Sequence, residues 1–403
     1  MTVQDRFLKY ISYWTTSEDD KETNPTAERE RELAKALAKE LEDMGIETKL
    51  SDTCYVYGRI PASKGMEGKT PIGFIAHMDT APDFSGKNVS PCIHANYAGE
   101  DVVLSGSGDL LKPTDFPDLR NAIGETLITT DGNTLLGADD KAGVAEIMTL
   151  AEELVTGTVP HGEIWIGFTP DEEVGMGADG FDLNCFGAAY AYTVDGGYEG
   201  EISYENFNAA AASFTIKGVS VHPGDAKDIM VNAGLLAAEL AMELPAEEIP
   251  GRTEGREGFF HLTNMNGTVS EAKLEYLIRD HEEKRFQERK QFLLDLTKKM
   301  NEKYGVGTVS LIIIPSYQNM ASVLQDKMFI VEKAKEAIRK NGLEAQVIPV
   351  RGGTDGARLS FMGLPCPNLG TGGHGFHGPF EHITVEAMER VVKVLHKIVE
   401  SVD

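Results

Sequence analysis

Apolar and polar positions alternate in two distinct patterns along the first half of the chain. Short apolar runs at residues 72–76, 164–168 and 188–194 each end abruptly in polar residues, as buried strands do. Apolar residues recur at helical spacing at 26–44 and again after Asp139, which predicts amphipathic helices. Strands that alternate with helices favour an α/β fold with a mixed, largely parallel sheet flanked by helices.

The middle of the chain follows a different order, which predicts an inserted domain. From about residue 206 to residue 316 the pattern indicates strand, helix, two strands, helix and strand. This order is typical of a small α+β domain with an antiparallel sheet. We therefore expect the larger domain at 1–205 and 317–403, with the α+β domain inserted at 206–316.

Composition restricts the class of protein. The 403 residues, 41% of them hydrophobic, suffice for two globular domains. The 38 Lys and Arg against 64 Asp and Glu give a net charge of −26, which disfavours nucleic acid or an anionic membrane as a partner. The four cysteines are widely spaced, which favours reduced thiols over disulfides or a thiolate metal site. The chain starts without an apolar signal core and has no apolar run approaching about 18 residues, so we expect a soluble, cytoplasmic protein.

Candidate metal ligands follow the predicted strands where the strands end. The polar residues directly after an apolar run, or within a Gly-rich turn, are His77, Asp79, Asp139, Glu172, Glu173, Asp195 and His377. Because the carboxyl ends of parallel strands line one crevice, loops that are distant in sequence can meet there. Two His with several carboxylates and no Cys suit zinc, with cobalt or manganese as substitutes.

The number of donors fits a pair of metal ions. Two ions about 3.5–4 Å apart need a bridging carboxylate and two further protein ligands each. Asp139 can bridge, and the four remaining ligands are His77, Glu173, Asp195 and His377. This leaves the Glu172 carboxylate free to take a proton from a metal-bound water and deliver it to a leaving group. Asp79, two residues after His77, can fix the tautomer of that imidazole.

Each motif alone has an ordinary structural explanation. A His and an Asp after a strand also suit a buried structural pair, and adjacent glutamates usually lie on a solvated helix face. Asp139 and Asp140 also suit the start of a helix. The loop that contains His377 offers His374 as a second candidate. The combination of loops, rather than any single motif, points to a metal centre.

Five motifs, in order, resemble the two-zinc exopeptidase family that includes bacterial glutamate carboxypeptidase. They are AHMDT at 76–80, GADDKAG at 137–143, TPDEEVG at 169–175, VDGG at 194–197 and HGPFE at 377–381. The resemblance covers essentially the whole chain and favours His377 over His374, because a Glu follows His377 four residues later, as in the relatives. It also implies a cis peptide bond between Asp139 and Asp140.

The resemblance implies a ligand set and a reaction. One zinc would be bound by His77, Asp139 and Asp195, and the other by Asp139, Glu173 and His377. Glu172 would be the catalytic base, and Asp79 would orient His77. The segment RGGTDG at 351–356 and Asp195, where others have Glu, look most like the tripeptide aminopeptidases of this family. The expected reaction is removal of the N-terminal residue from tripeptides.

Other functions are compatible with the same motifs. A dipeptidase, a carboxypeptidase or an acyl-amino-acid deacylase of the same family would use the same metal chemistry. A non-enzymatic zinc-binding or peptide-binding protein would differ in class, although every position expected of an enzyme is filled.

The resemblance further implies that the inserted domain is a lid and that a homodimer forms through it. His222, in GVSVHPG at 218–224, matches the lid histidine that stabilises a tetrahedral oxyanion in relatives, or else is a turn histidine. Arg279 and Arg351 are candidates to hold the carboxylate of the peptide substrate, or else form ordinary salt bridges.

Overall fold

The computed structural model describes residues 1–403, and its internal contacts divide the chain into two units. The first unit consists of Met1–Tyr204, Ser322–Ile348 and Thr354–Asp403. The second consists of Glu205–Ala321 and Pro349–Gly353. No helix combines the length and the apolar character that a membrane span requires.

The helices carry the apolar spacing seen in the sequence. In chain order they are α1 (Val3–Ile11), α2 (Glu30–Asp43), α3 (Ala138–Thr156), α4 (Ala233–Met242), α5 (Glu283–Tyr304), α6 (Ala321–Leu324), α7 (Met328–Lys340), α8 (Asp355–Met362) and α9 (Val385–Glu400). The helix predicted at 26–44 begins only at Glu30, because the backbone N–H and the hydroxyl of Thr26 bind the side chain of Asp171. Helix α4 begins at Ala233, where the side chain of Asn232 caps it by accepting the backbone N–H of Leu235.

The strands are more numerous than the sequence pattern indicates, and β3 and β8 each extend one residue beyond the predicted apolar run. They are β1 (Glu47–Leu50), β2 (Val56–Ile60), β3 (Ile72–His77), β4 (Pro91–His94), β5 (Val102–Val103), β6 (Leu110–Leu111), β7 (Leu127–Thr130), β8 (Ile164–Thr169), β9 (Tyr190–Val194), β10 (Glu201–Ser203), β11 (Asn208–Lys217), β12 (Phe259–Gly267), β13 (Glu271–Asp280), β14 (Val309–Tyr317), β15 (Gln346–Val347), β16 (Asn368–Leu369), β17 (Gly373–His374) and β18 (His382–Thr384).

The first unit is built on an eight-stranded sheet in the order β1-β2-β8-β3-β9-β16-β10-β15. Its centre is parallel, since β3 pairs in parallel with both β8 and β9, and β9 with β16. Alternate residues of β3 face opposite sides. Phe74 packs into a core shared with α1, α2, α3, α7 and α9, while Ile75 packs into a second core that includes Leu359 of α8. The predicted mixed, largely parallel sheet flanked by helices is confirmed.

The strand order brings several polar loops together at one edge of this sheet. The neighbouring parallel strands β3, β8 and β9 end at His77, Thr169 and Val194. The loops that follow them therefore leave the sheet side by side. A second sheet, in the order β17-β18-β7-β4, carries the loop with His377 between β17 and β18.

The second unit is an antiparallel sheet covered by helices on one face. Its strand order is β12-β13-β11-β14. Phe214, Leu274 and Leu296 belong to its buried core, which α4 and α5 share, whereas Ile312 and Ile314 on β14 are exposed. This element order confirms the predicted inserted α+β fold.

Candidate metal centre

Asp139 lies between two histidines that are distant in sequence. Its Oδ1 is 3.0 Å from Nε2 of His77, and its Oδ2 is 3.3 Å from Nε2 of His377. Each carboxylate oxygen thus faces a different imidazole, which is the arrangement a bridging ligand requires. Asp139 is placed there by the start of α3, where Gly137 adopts a positive φ of 83° and the Asp139–Asp140 peptide is cis.

The two other predicted ligands complete the group on opposite sides. Asp195 Oδ1 lies 3.6 Å from His77 Nε2, and Glu173 Oε2 lies 3.1 Å from His377 Nε2. We call His77, Asp139, Glu173, Asp195 and His377 the central cluster. Its His77 end is buried, at 2% side-chain exposure, and its His377 end is open, at 44%.

The central cluster fits a pair of divalent ions. Potential ligand atoms within 4.8 Å of one another form two groups, His77–Asp139–Glu173 and His77–Asp140–Asp195. Glu173 Oε1 is buried and has no hydrogen-bond partner within the protein, although such oxygens are normally bonded. Imidazole and carboxylate donors without thiolates suit zinc, cobalt or manganese.

The electrostatics favour positive charge at this position. Burial opposes protonation of His77, but the facing carboxylates of Asp139 and Asp195 raise its pKa well above the usual value. Hydrogen bonds to Asp139 and Glu173 raise the pKa of His377 to about 11. Burial and the charge of Asp139 raise the pKa of Glu173 to about 8. Buried carboxylates that lie close together repel one another, and a bound metal cation would offset this repulsion.

Asp79 connects a cluster ligand to the loop that contains Glu172. One of its oxygens, Oδ1, lies 3.3 Å from Nδ1 of His77, on the ring edge opposite the cluster. The same carboxylate accepts the backbone N–H of Glu172 at 3.0 Å and of Glu173 at 3.2 Å. Asp79 is fully buried, so both sets of contacts are shielded from water.

Glu172 lies beside the cluster without being bound by it. Its side chain forms no hydrogen bond or ion pair with the protein, while its neighbour Glu173 contacts His377. Burial, and then the charge of Asp195, raise the pKa of Glu172 well above its usual value. A free carboxyl group in this position suits proton transfer.

Glu381 holds the turn that presents Asp139. Its Oε2 accepts the backbone N–H groups of Leu136 at 2.6 Å and Gly137 at 2.8 Å, and its Oε1 accepts that of Asp139 at 2.9 Å. Its side chain is 1% exposed. The sequence identified Glu381 only as part of a motif. Its distance of four residues from His377 was a signal that it belongs to the site.

Asp83, which the sequence did not single out, lies beside the cluster, whereas the candidate His374 does not. Asp83 Oδ2 lies 3.5 Å from Nδ1 of His377, on the solvent side. His374 makes no contact with the cluster; its ring lies 5.8 Å from that of His382, which is paired with Asp118. The structure therefore favours His377 over His374 as the cluster histidine.

The three remaining candidate residues belong to the second unit. His222 is exposed, and its Nδ1 accepts the backbone N–H of Gly224 at 3.1 Å. The guanidinium carbon of Arg279 lies 5.9 Å from the ring centres of both Phe259 and Tyr317, and the group donates to the carbonyl oxygen of Arg351.

Arg351 uses its guanidinium within the second unit. It donates to the carbonyl oxygens of Gly255 and Glu257 and to the hydroxyl of Thr253. The guanidinium group of Arg351 is therefore occupied by hydrogen bonds to this segment, whereas that of Arg279 has fewer acceptors in the protein.

Comparison with known proteins gives a consistent result over the whole chain. Peptidase T of Clostridium novyi is 52% identical over 402 residues, covering 99% of this chain and 98% of the relative. Peptidase T of Halothermothrix orenii is 51% identical over 402 residues with the same coverage. The crystal structure of aminopeptidase PepT from Bacillus cereus has a TM-score of 0.78 at 23% identity, covering 99% of this chain and 97% of that one.

A more distant structure carries the same fold. A Bacillus subtilis protein described as a dinuclear metal binding peptidase from the M20 family has a TM-score of 0.66 at 15% identity, covering 99% of this chain and 96% of that one. The sequence model of peptidase family M20/M25/M40 matches residues 129–401. Because this match and the half-identical relatives agree, the chain belongs to peptidase family M20/M25/M40 and is a hydrolase that acts on peptides.

Proposed function

We propose that this protein is a two-zinc aminopeptidase that removes the N-terminal residue of tripeptides. The observation that carries the proposal is Asp139, whose two carboxylate oxygens face the two histidines of the central cluster. The names of the half-identical relatives and of the PepT structure support the substrate class. When bound, two such ions supply the Lewis acidity that polarises a carbonyl group and activates water.

We divide the ligands as the family resemblance implies, and the contacts of His77 with Asp195 and of His377 with Glu173 support this division. His77, Asp139 and Asp195 would hold one ion, and Asp139, Glu173 and His377 the other. Asp79 fixes the tautomer of His77 through its Nδ1. Cobalt or manganese would satisfy the same donors.

The residues around the cluster carry the proton transfers and bind the substrate. Glu172 takes a proton from the attacking water and later delivers it to the leaving amine. The second unit serves as a lid, from which His222 stabilises the oxyanion. Arg279 binds the substrate carboxylate through its fork, and Arg351 supports Arg279 through its carbonyl oxygen.

Two neighbouring glutamates give a matched test of this assignment. Glu172→Gln should reduce turnover by about 10³-fold or more while two zinc ions per chain are retained, because proton transfer alone is lost. Glu173→Gln should lower the zinc content, because it removes a ligand. Zinc per chain and kcat are measured for both variants. A Glu172→Gln variant with normal kcat, or without zinc, would contradict the role of Glu172.

The substrate is tested with di-, tri- and tetrapeptides that share one sequence, with free or acetylated N-termini. We expect the highest kcat/KM for the free tripeptide and release of its N-terminal residue, identified by mass spectrometry. Preference for dipeptides, or release of the C-terminal residue, would identify one of the other hydrolases of the family instead.

We also propose a cytoplasmic location and a homodimer formed through the second unit, as the sequence predicts. Cell fractionation and sedimentation velocity test these points separately from the chemistry.

A further inference from the structure

Residues at the start of α2 bind the loop that carries Glu172. The backbone N–H of Thr26 donates to both side-chain oxygens of Asp171, at 2.8 and 3.0 Å, and the Thr26 hydroxyl donates to Asp171 Oδ1. In the reverse direction, the backbone N–H of Asp171 donates to Glu30 Oε2 at 3.3 Å. The other oxygen of Glu30 accepts the N–H of Ala27. We call Thr26, Glu30 and Asp171 the N-terminal clamp.

The clamp is shielded from solvent. Asp171 and Glu30 are 0% exposed, and Thr26 is 6% exposed. Hydrogen bonds between buried polar groups define position more strongly than exposed ones, because water cannot replace a lost partner.

The backbone of the loop is specified residue by residue. Asp171 has a φ of +58°, a left-handed conformation that residues other than glycine seldom adopt without local hydrogen bonds. The three consecutive N–H groups of Asp171, Glu172 and Glu173 are all bound by carboxylates, the first by Glu30 and the next two by Asp79.

Thr26 and Glu30 of the clamp lie outside the central cluster and outside the part of the chain that the family model covers, whereas Asp171 lies within that part. Thr26 and Glu30 form no hydrogen bond or ion pair with a cluster ligand, and they precede the matched residues 129–401. Asp171 is thus the link between the N-terminal segment and Glu172, its neighbour in sequence. The side chain of Glu172 has no partner, so its position depends on this backbone.

We propose that Thr26, acting with Glu30 through Asp171, is a positioning residue for Glu172. The proposal rests on the proposed role of Glu172 as the proton-transferring group. Thr26 forms no hydrogen bond with a residue of the central cluster. We therefore expect a defect in the clamp to lower the rate of the chemical step, while zinc binding persists because Asp79 and His377 still hold Glu173.

The test compares Thr26→Val with Thr26→Ser. Valine has the shape of threonine but lacks the hydroxyl donor, whereas serine retains it. We expect Thr26→Val to lower kcat about tenfold or more, with KM for a tripeptide changed less than about twofold and two zinc ions per chain. Thr26→Ser should restore kcat to within about threefold of wild type, given the modest effect of one lost methyl group.

Thr15→Val is the matched control. Thr15 is buried in the same N-terminal segment, and its hydroxyl has no hydrogen-bond partner. Removing that hydroxyl should leave kcat, KM and zinc content at their wild-type values. If Thr26→Val does not fold, Thr26→Ala, assayed at low temperature, carries the same expectations.

Three outcomes overturn the proposal: a normal kcat in Thr26→Val, an equal loss in Thr26→Ser, or a fall in kcat matched by loss of zinc. Glu172→Gln, assayed in parallel, tests the role of Glu172 separately from the role of the clamp. If Glu172→Gln is fully active, the role of Glu172 is wrong. If it is inactive while Thr26→Val is normal, the clamp alone is wrong.

Discussion

Replacing Glu381 by Gln tests how firmly Asp139, the proposed bridging ligand, must be held. The Glu381 carboxylate accepts three backbone N–H groups, two on Oε2 and that of Asp139 on Oε1. A glutamine of the same shape has one oxygen and one NH₂ group. If its oxygen keeps the N–H groups of Leu136 and Gly137, its NH₂ group faces the N–H of Asp139, and two donors meet without an acceptor.

The size of the effect follows from that single unpaired donor. Leaving one buried N–H unsatisfied costs about 1–3 kcal/mol, which corresponds to about 5- to 150-fold in a binding constant. Relief comes from displacing the backbone of Asp139, whose two oxygens face His77 and His377. We therefore expect both zinc affinities to fall by a factor in this range, and activity to return at high free zinc.

The assay is a competition titration of the metal-free protein with zinc and a chromophoric chelator. Glu386→Gln is the control, because Glu386 likewise accepts a backbone N–H, that of Thr126 at 2.8 Å, but does so away from the cluster. Its zinc affinities should equal those of the wild type. Unchanged zinc affinities in Glu381→Gln would refute the argument that this carboxylate positions Asp139.

Two further predictions concern stability and substrate binding. Glu146 is fully buried with both oxygens unpartnered, and burial, followed by the charge of Glu199, raises its pKa well above 4.5. As the pH rises above 4.5, the unfolded chain loses the Glu146 proton before the folded protein does. The unfolding free energy of the wild type should therefore fall, relative to that of Glu146→Gln, by up to about 1.4 kcal/mol per pH unit. Urea unfolding at several pH values measures this difference, and a difference that is independent of pH would contradict the prediction. Arg279→Lys should raise KM for a tripeptide about tenfold with little change in kcat, because the two-pronged contact to a carboxylate is lost. An unchanged KM would assign Arg279 to the packing of Phe259 and Tyr317 instead.

The carboxyl ends of the strands were the part of the fold that the sequence predicted most directly. His77 ends β3 and Asp195 directly follows β9, each after a run of apolar residues whose period marks a buried strand. Parallel pairing of these strands then places their loops at one edge without any further information. The residues predicted as ligands could therefore be named before any distance was known.

Hydrogen bonds between carboxylates and distant backbone N–H groups could not be predicted from the sequence, for a physical reason. The bond from Thr26 to Asp171 spans 145 residues, and the bond from Asp139 to Glu381 spans 242. A backbone N–H has no side-chain identity, so no local pattern marks which N–H a distant carboxylate will accept. The same holds for Pro349–Gly353, which joins the second unit through contacts far from it in sequence.

Asp79 would make the proposed metal centre sensitive to the size of its ion. One carboxylate touches the Nδ1 edge of His77 and also carries the N–H groups of Glu172 and Glu173. If His77 holds a metal ion as proposed, a shift of its imidazole with ion radius would pass through the Asp79 carboxylate to the backbone of Glu172. Relative rates with zinc, cobalt and manganese would then depend on the position of Glu172 as well as on the acidity of each ion.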